Sequence, residues 1–458
     1  MWNRRIAGEK THALEATAER EAAAAAGESV GCPQAGTEQF VRTVILGTAF
    51  FLAIGGHYAF KSYWGASIVV ALGARGVPQL RVIEASVVLV AASTIFYSRW
   101  FHARLSFVIG GVAALGIAVL LTYPIIWPSH RFVSLLVLTL AGSVLNVASV
   151  YCLWMLFTST VVSRLGRNIT VFGAGAQLAM LASSSAAKAV SEAGYVSWLC
   201  ISAGIAYLVA FAVIAYAMRR FSCYGSSAVS IVRPERAPRR TPLSALVELL
   251  RLSYLRLIAG VILVHLAFKA GLNWNVYKVA EQAETVDAAS HMLATYYQYS
   301  SVACLMAQVV LVPLAFRFLT PRWGLFVLPL VGGACVAFVN IAELPTAIFL
   351  WLALFASTDF TVNNCMREAL FVPMPLDLKV YGKSMLAMAV PTIGGLLAAA
   401  FVLGLSYMPQ GMEVAAMIAI LAVWLECVRR LSRMYSKVRR GQFDQRLSSV
   451  DEVGSEQL

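Results

Sequence analysis

Long apolar runs alternate with short polar connections along most of this chain. A helix needs about 20 apolar residues to cross roughly 30 Å of hydrocarbon, and the pattern supplies twelve such runs. They lie at about 41–60, 78–98, 104–127, 132–158, 168–190, 195–218, 253–273, 290–317, 323–342, 345–366, 384–407 and 411–430. The start of the second run is the least clear, because 62–81 mixes glycine, proline and charged residues. The pattern predicts an all-α, polytopic membrane protein.

A long polar connection divides these runs into two sets of six. It covers 219–252 and is rich in arginine and proline. Two sets of spans joined by a basic linker are typical of transporters built from two similar halves. The predicted parts are a tail (1–39), a six-helix bundle (40–218), the linker (219–252), a second six-helix bundle (253–433) and a second tail (434–458).

The composition supports a membrane as the solvent. Hydrophobic residues make up 59% of the chain and charged residues only 13%, whereas soluble domains carry about 25% charged residues. The net charge of +13 arises mainly from Lys and Arg in the tails and in the even-to-odd connections. Such residues collect on the cytoplasmic side. We therefore expect both termini in the cytoplasm and no nucleic-acid partner.

Other classes of function lack the motifs they need. Most of the eight cysteines lie in apolar runs, and no two form a CxxC pair. This is typical of buried apolar residues and predicts no metal site. No phosphate-binding GxxxxGK[ST] motif and no recognisable catalytic arrangement occurs. We expect no enzyme activity and no cofactor. The 1–39 segment has no apolar core behind a basic start, so it is not a secretory signal.

A few charged and polar residues fall within or beside the spans, where a charge costs about 2.5–3.5 kcal/mol. Most are basic, which favours an anionic solute. The predicted substrate-binding residues are Lys61, Arg81, Lys269, Asn273, Asn275 and Lys278. His265, Lys269 and Asn273 share one helix face at spacings of four. Alternatively, Lys61 and Arg81 lie at span ends and reach the interface, and Arg81 pairs with Glu84 at i, i+3.

A second group of charges interrupts the apolar pattern between 359 and 395. Pro373 and Pro375 break the backbone midway through this stretch. Its charges must lie in a short aqueous connection or line a wet cavity. We predict that they form a gate or a clamp between the halves. The predicted gating residues are Arg367, Glu368, Asp377 and Lys383.

Several stretches resemble the nucleotide transporter family, the ATP:ADP antiporters of plastids and intracellular bacteria. The similarity is carried by Arg367-Glu368, Phe371-Val372-Pro373, Asp377 and Gly382-Lys383, by FGAGAQLAML from Phe172, by Tyr277-Lys278 and by Val77-Pro78-Gln79-Leu80-Arg81. The resemblance implies a major-facilitator fold and nucleotide exchange. Charged family positions fall here on uncharged residues, among them Trp64-Gly65, Thr158-Ser159, Trp274, Ala387, Thr392 and Gly395.

The sequence thus predicts a monomeric secondary transporter that works by alternating access on a small anionic solute, such as a nucleotide or related phosphorylated metabolite. Two alternatives remain open. One is a proton-coupled carrier of an unrelated metabolite or drug, with Glu84 or Asp359 as the titrating group. The other is a membrane protein that keeps a carrier scaffold but transports nothing.

Overall fold

The computed structural model describes residues 33–97, 105–126, 131–160, 165–221, 250–374 and 376–439, and the regular structure within these ranges is helical throughout. The helices are α1 (Pro33–Leu72), α2 (Gly76–Tyr97), α3 (Leu105–Ile126), α4 (Phe132–Thr160), α5 (Leu165–Glu192), α6 (Trp198–Phe221), α7 (Ser253–Ala280), α8 (Val286–Phe318), α9 (Pro321–Val339), α10 (Pro345–Thr358), α11 (Asn364–Leu370), α12 (Leu376–Leu405) and α13 (Gln410–Arg439).

Each predicted run falls on a helix. The tenth run is a composite of α10, a π-helical turn (Asp359–Asn363) and α11. Counting only the described residues, eight helical spans are long and apolar enough to cross a bilayer. Helices α3 and α12 carry the shorter apolar stretches Gly110–Ile126 and Val390–Leu405. The predicted class, an all-α polytopic membrane protein, is confirmed.

Helix α1 is much longer than the predicted first run. The run ends near residue 60, but the helix continues to Leu72. It ends at Gly73, whose φ of 72° suits a glycine that follows a helix C-terminus. The apolar signal stops early because Lys61 and Ser62 are polar, yet Ser62 is fully buried in the protein interior. Lys61 therefore lies well inside the helix and not at its end.

We refer to helices α1–α6 as the first half of the molecule and to α7–α13 as the second. In the first half, α1 packs along α4, α5 and α6; in the second, α7 packs along α8, α12 and α13. The two halves meet where α5 lies against α8, α2 against α12 and α1 against α8. Residues of both halves share one continuous apolar core.

The exact domain boundaries stay predictions. Helices α1 and α13 extend into the predicted tails, up to Pro33 and Arg439. Residues 1–32, most of the predicted linker (222–249) and 440–458 lie outside the described residues.

Candidate functional site

Lys61 lies between aromatic rings from both halves of the molecule. Its Nζ is 5.5 Å from the ring centroid of Tyr58, one turn earlier on α1, and 5.0 Å from that of Tyr297 on α8. The two rings meet edge to face, with centroids 5.3 Å apart. Among the described residues, no carboxylate forms an ion pair with Lys61. Its ammonium group is held by cation–π contacts alone.

Arg81 has a carboxylate partner on its own helix. Its Nη1 donates to both carboxylate oxygens of Glu84, at 2.9 and 2.7 Å, so the predicted i, i+3 ion pair is present. The guanidinium also stacks on Trp64, 4.3 Å from the ring centroid. Trp64 is held in turn by its Nε1, which donates to Thr139 Oγ1 at 2.7 Å. Ser143 Oγ donates a short hydrogen bond to Glu84.

Lys269 faces the π-helical turn of the tenth span. Its Nζ donates to Asp359 Oδ2 at 2.7 Å, and Asn363 Nδ2 donates to Asp359 Oδ1 at 2.9 Å. His265, one turn before Lys269, brings its Nε2 within 3.2 Å of the same Oδ1. Asp359 is only 4% exposed, and these contacts replace the water it has lost. Single π-turns of this kind often mark functional positions.

These three groups lie close together between the halves. The charges of Arg81, Glu84 and Lys269 are all near enough to Lys61 to act on its ammonium group. We call Lys61, Arg81, Glu84, Lys269 and Asp359 the central cluster. Two of its three cations have a carboxylate partner. Counting the described residues alone, the cluster therefore carries one uncompensated positive charge, that of Lys61.

The other predicted binding residues lie on α7 and contact either their own helix or a neighbouring one. Asn273 accepts a hydrogen bond from the Tyr296 hydroxyl at 3.3 Å. Asn275 donates to carbonyl oxygens of its own helix. Lys278 forms an ion pair with Glu413 on α13, with Nζ and Oε2 2.8 Å apart. The structure thus brings Lys61, Arg81 and Lys269 together and leaves Asn275 and Lys278 outside the central cluster.

The predicted gate is only partly described. Arg367 lies on α11, half-buried, where its charge interacts with those of Asp359 and Glu368. Glu368 is exposed. The side chains of Asp377 and Lys383, near the start of α12, lie outside the described ones. A gate built from these residues stays a prediction.

At the end of the molecule opposite α11, the halves are joined by contacts that the sequence did not predict. We call this end the α1–α2 end, because it carries the connection 73–75, together with the connections 193–197 and 281–285. The Ala74 N–H donates to Glu281 Oε1 at 3.0 Å, and the Val196 N–H donates to Asp287 Oδ1 at 3.2 Å. Both carboxylates belong to the second half and both amides to the first. The bond at Ala74 needs the close approach of Gly73, where an added Cβ would lie 2.7 Å from Glu281 Oε1.

Three further links lie at or near the same end. Gln79 Nε2 donates to the Tyr407 hydroxyl at 3.4 Å, His291 Nδ1 lies 3.5 Å from Glu192 Oε1, and Gln298 Nε2 donates to Ser185 Oγ at 3.0 Å. Between described side chains, the polar links that join the halves lie at this end or at the central cluster. In the described structure these links join the two halves at the α1–α2 end.

Sequence reasoning missed the aromatic side chains around the cluster. Tyr58 precedes Lys61 by three residues, a spacing that places both on one helix face. Tyr296 and Tyr297 stand in a polar stretch of α8. The spacing of Tyr58 and Lys61 was the available signal for an aromatic neighbour of the lysine. The contact with Tyr297 could not be predicted from spacing, because Tyr297 is distant in sequence.

The fold is shared by several membrane transporters of known structure. Among solved structures, a bacterial homologue of the iron transporter ferroportin in an inward-facing state is similar over 87% of this chain and 99% of that one, with 13% identity and a TM-score of 0.59. An autoinhibited peptide transporter of the POT family matches over 87% and 97%, with 11% identity and a TM-score of 0.58.

A structure of the nucleoside transporter NupG is similar over 87% of this chain and 99% of that one, with 11% identity and a TM-score of 0.52. No family model and no curated protein sequence matches the chain. The resemblance to nucleotide transporters therefore stays a prediction. The chain is an integral, multi-pass membrane protein with this fold.

Proposed function

We propose that this protein is a secondary transporter that moves an anionic solute by alternating access between its two halves. The observation that carries the proposal is the uncompensated charge of Lys61, at a level where residues of both halves surround it. An unpaired cation within a span is costly and persists where it has a function. A solute anion would complete the charge balance that the protein leaves open.

The links at the α1–α2 end support the alternating-access part of the proposal. The links there are a few hydrogen bonds, which a transporter can break and remake as its halves rock. The Lys and Arg distribution predicts that the opposite end, with both termini, lies in the cytoplasm. In this orientation the end that carries the links faces the outside.

The resemblance makes nucleotides and related phosphorylated metabolites the first solutes to test. A thermal-shift screen of purified protein against nucleotides, phosphates and organic anions is the direct experiment. A ligand at 100 times its Kd stabilises the protein by about 2.7 kcal/mol. We expect a stabilising anion whose effect is lost in Lys61→Gln. Stabilisation by cations or uncharged solutes alone would contradict the proposal.

A proton-coupled carrier is the second candidate, and the burial of two acids favours it. Glu84 and Asp359 are 9% and 4% exposed, and each holds a cation. A proton on either acid would release its cation toward a solute. This candidate predicts uptake into proteoliposomes that is driven by a pH gradient and lost in Glu84→Gln or Asp359→Asn. Uptake driven by an anion gradient at equal pH on both sides would contradict it.

A further inference from the structure

We infer that the solute of this site is a singly charged organic anion with a flat apolar body, such as an aryl carboxylate. The inference rests on the proposed function and narrows its substrate class. It uses two observations that the proposal does not need, namely the size of the charge imbalance and the chemistry of the surrounding side chains.

The charge imbalance amounts to one unit. Arg81 is bound by both oxygens of Glu84, and Lys269 is bound by Asp359. Both carboxylates are largely buried, so a solute that displaced either one would leave it unpaired in the interior, which is strongly unfavourable. Lys61 alone is available without breaking an existing pair. Arg367, on α11, is not part of the central cluster.

A second negative charge on the solute would therefore find no partner at the cluster. Nucleoside di- and triphosphates carry several charges, and a phosphate monoester carries about −1.5 to −2 at pH 7. Carboxylates and sulfonates carry one. One unpaired lysine balances the charge of a carboxylate or a sulfonate. It leaves part of the charge of a nucleotide or a phosphate monoester without a partner.

The surroundings of Lys61 are aromatic. The rings of Tyr58 and Tyr297 flank its ammonium group, and Tyr296 packs against Tyr297 with centroids 5.3 Å apart. On the other side of the cluster, Trp64 lies under Arg81. Flat apolar groups stack against such rings, whose edges carry partial positive charge.

The experiment compares probes that differ in charge or in the apolar body. Thermal shifts of the purified full-length protein are measured with benzoate, acetate, phthalate, benzyl alcohol, benzylammonium and ADP over the same concentration range. We expect benzoate to give the largest shift, with an affinity at least tenfold above those of acetate, phthalate and ADP. Lys61→Gln should lower the benzoate affinity at least tenfold, whereas Lys188→Gln, half-buried on α5 outside the cluster, should not.

The outcomes separate the inference from the function it rests on. Tighter binding of phthalate or ADP than of benzoate overturns the single charge and leaves an anion transporter standing. Equal shifts with acetate and benzoate overturn the apolar body alone. A shift with benzyl alcohol or benzylammonium only, or a benzoate shift unchanged in Lys61→Gln, overturns both the inference and the proposed function.

Discussion

Lys61 and Lys269 illustrate how differently two lysines can sit in the same membrane protein. Lys269 is neutralised by Asp359 at 2.7 Å, whereas the described contacts of the Lys61 ammonium group are with aromatic rings. The charge of Lys269 is balanced by a carboxylate, whereas the charge of Lys61 lowers the stability of the fold. Their substitutions should therefore change stability in opposite directions.

Replacing Lys61 should stabilise the protein while removing solute binding. Lys61→Met eliminates a charge that has lost water without gaining a carboxylate, so we expect a gain of up to about 2.5–3.5 kcal/mol in the free energy of unfolding. Unfolding by denaturant in detergent, next to the thermal-shift assay, measures both effects. A destabilised Lys61→Met protein would show that Lys61 has a structural partner.

Replacing Lys269 should destabilise the protein. Lys269→Met removes the lysine partner of the buried Asp359 and leaves this carboxylate with its contacts to His265 and Asn363. Loss of one partner of a buried ion pair costs about 3–5 kcal/mol, and the double variant Lys269→Met/Asp359→Leu should recover most of the loss. Lys278→Met is the matched control on the same helix. Its pair with Glu413 is more exposed (34% and 17%), and such pairs contribute about 0–1 kcal/mol. Equal losses in the two single variants would refute this difference.

At the scale of helices, the contacts at the α1–α2 end are the clearest candidates for a gate. A hydrogen bond to a charged acceptor contributes about 1.5–3 kcal/mol, and the carboxylates of Glu281 and Asp287 each accept one from the other half. Glu281→Gln with Asp287→Asn should weaken both bonds. We expect the population opened at this end to rise about tenfold or more.

Spin labels on exposed positions of this end, at Tyr195 and Ile341, would report the opening as a longer distance between the halves. Glu284→Gln is the control, since Glu284 is exposed on the same connection and makes no polar contact with another described residue. An unchanged distance distribution in the double variant would show that the gate lies elsewhere.

The small-residue run Thr392–Ala400 on α12 provides a test of helix packing. A Cβ at Gly394 would lie 2.5 Å from Leu266 Cδ1 on α7, whereas one at Gly395 meets nothing within 4 Å. Overpacking costs about 1–3 kcal/mol. We expect Gly394→Val to unfold more easily than Gly395→Val by this amount, and equal stabilities would contradict close packing of α7 on α12.

The element pattern was largely predictable, because each span needs a long apolar run whatever its neighbours. The end of α1 was not, since Lys61 and Ser62 interrupt the apolar signal while the helix continues. The π-turn at Asp359 was also invisible, because its local residues carry no signal for the wider turn. The spacing of His265 and Lys269 correctly indicated a shared polar face, but not its partner 90 residues away.

For the whole molecule, the central claim is that the two halves enclose a water-accessible site with positive potential around Lys61. The fold places α1, α2, α7, α8 and the tenth span around this point. A dry interior or a negative potential would remove the basis for an anion carrier, whatever the solute. The claim can be tested without knowing the ligand.

The direct measurement is the reactivity of Tyr58→Cys in a cysteine-free background. The rates with a negatively charged sulfonatoethyl and a positively charged trimethylammonioethyl methanethiosulfonate are each divided by the rate with a small thiol in solution. A lysine one turn away should favour the anionic reagent about tenfold, or ~1.4 kcal/mol, and Lys61→Gln should abolish the preference. No reaction with either reagent, or faster reaction with the cationic one, would contradict the account.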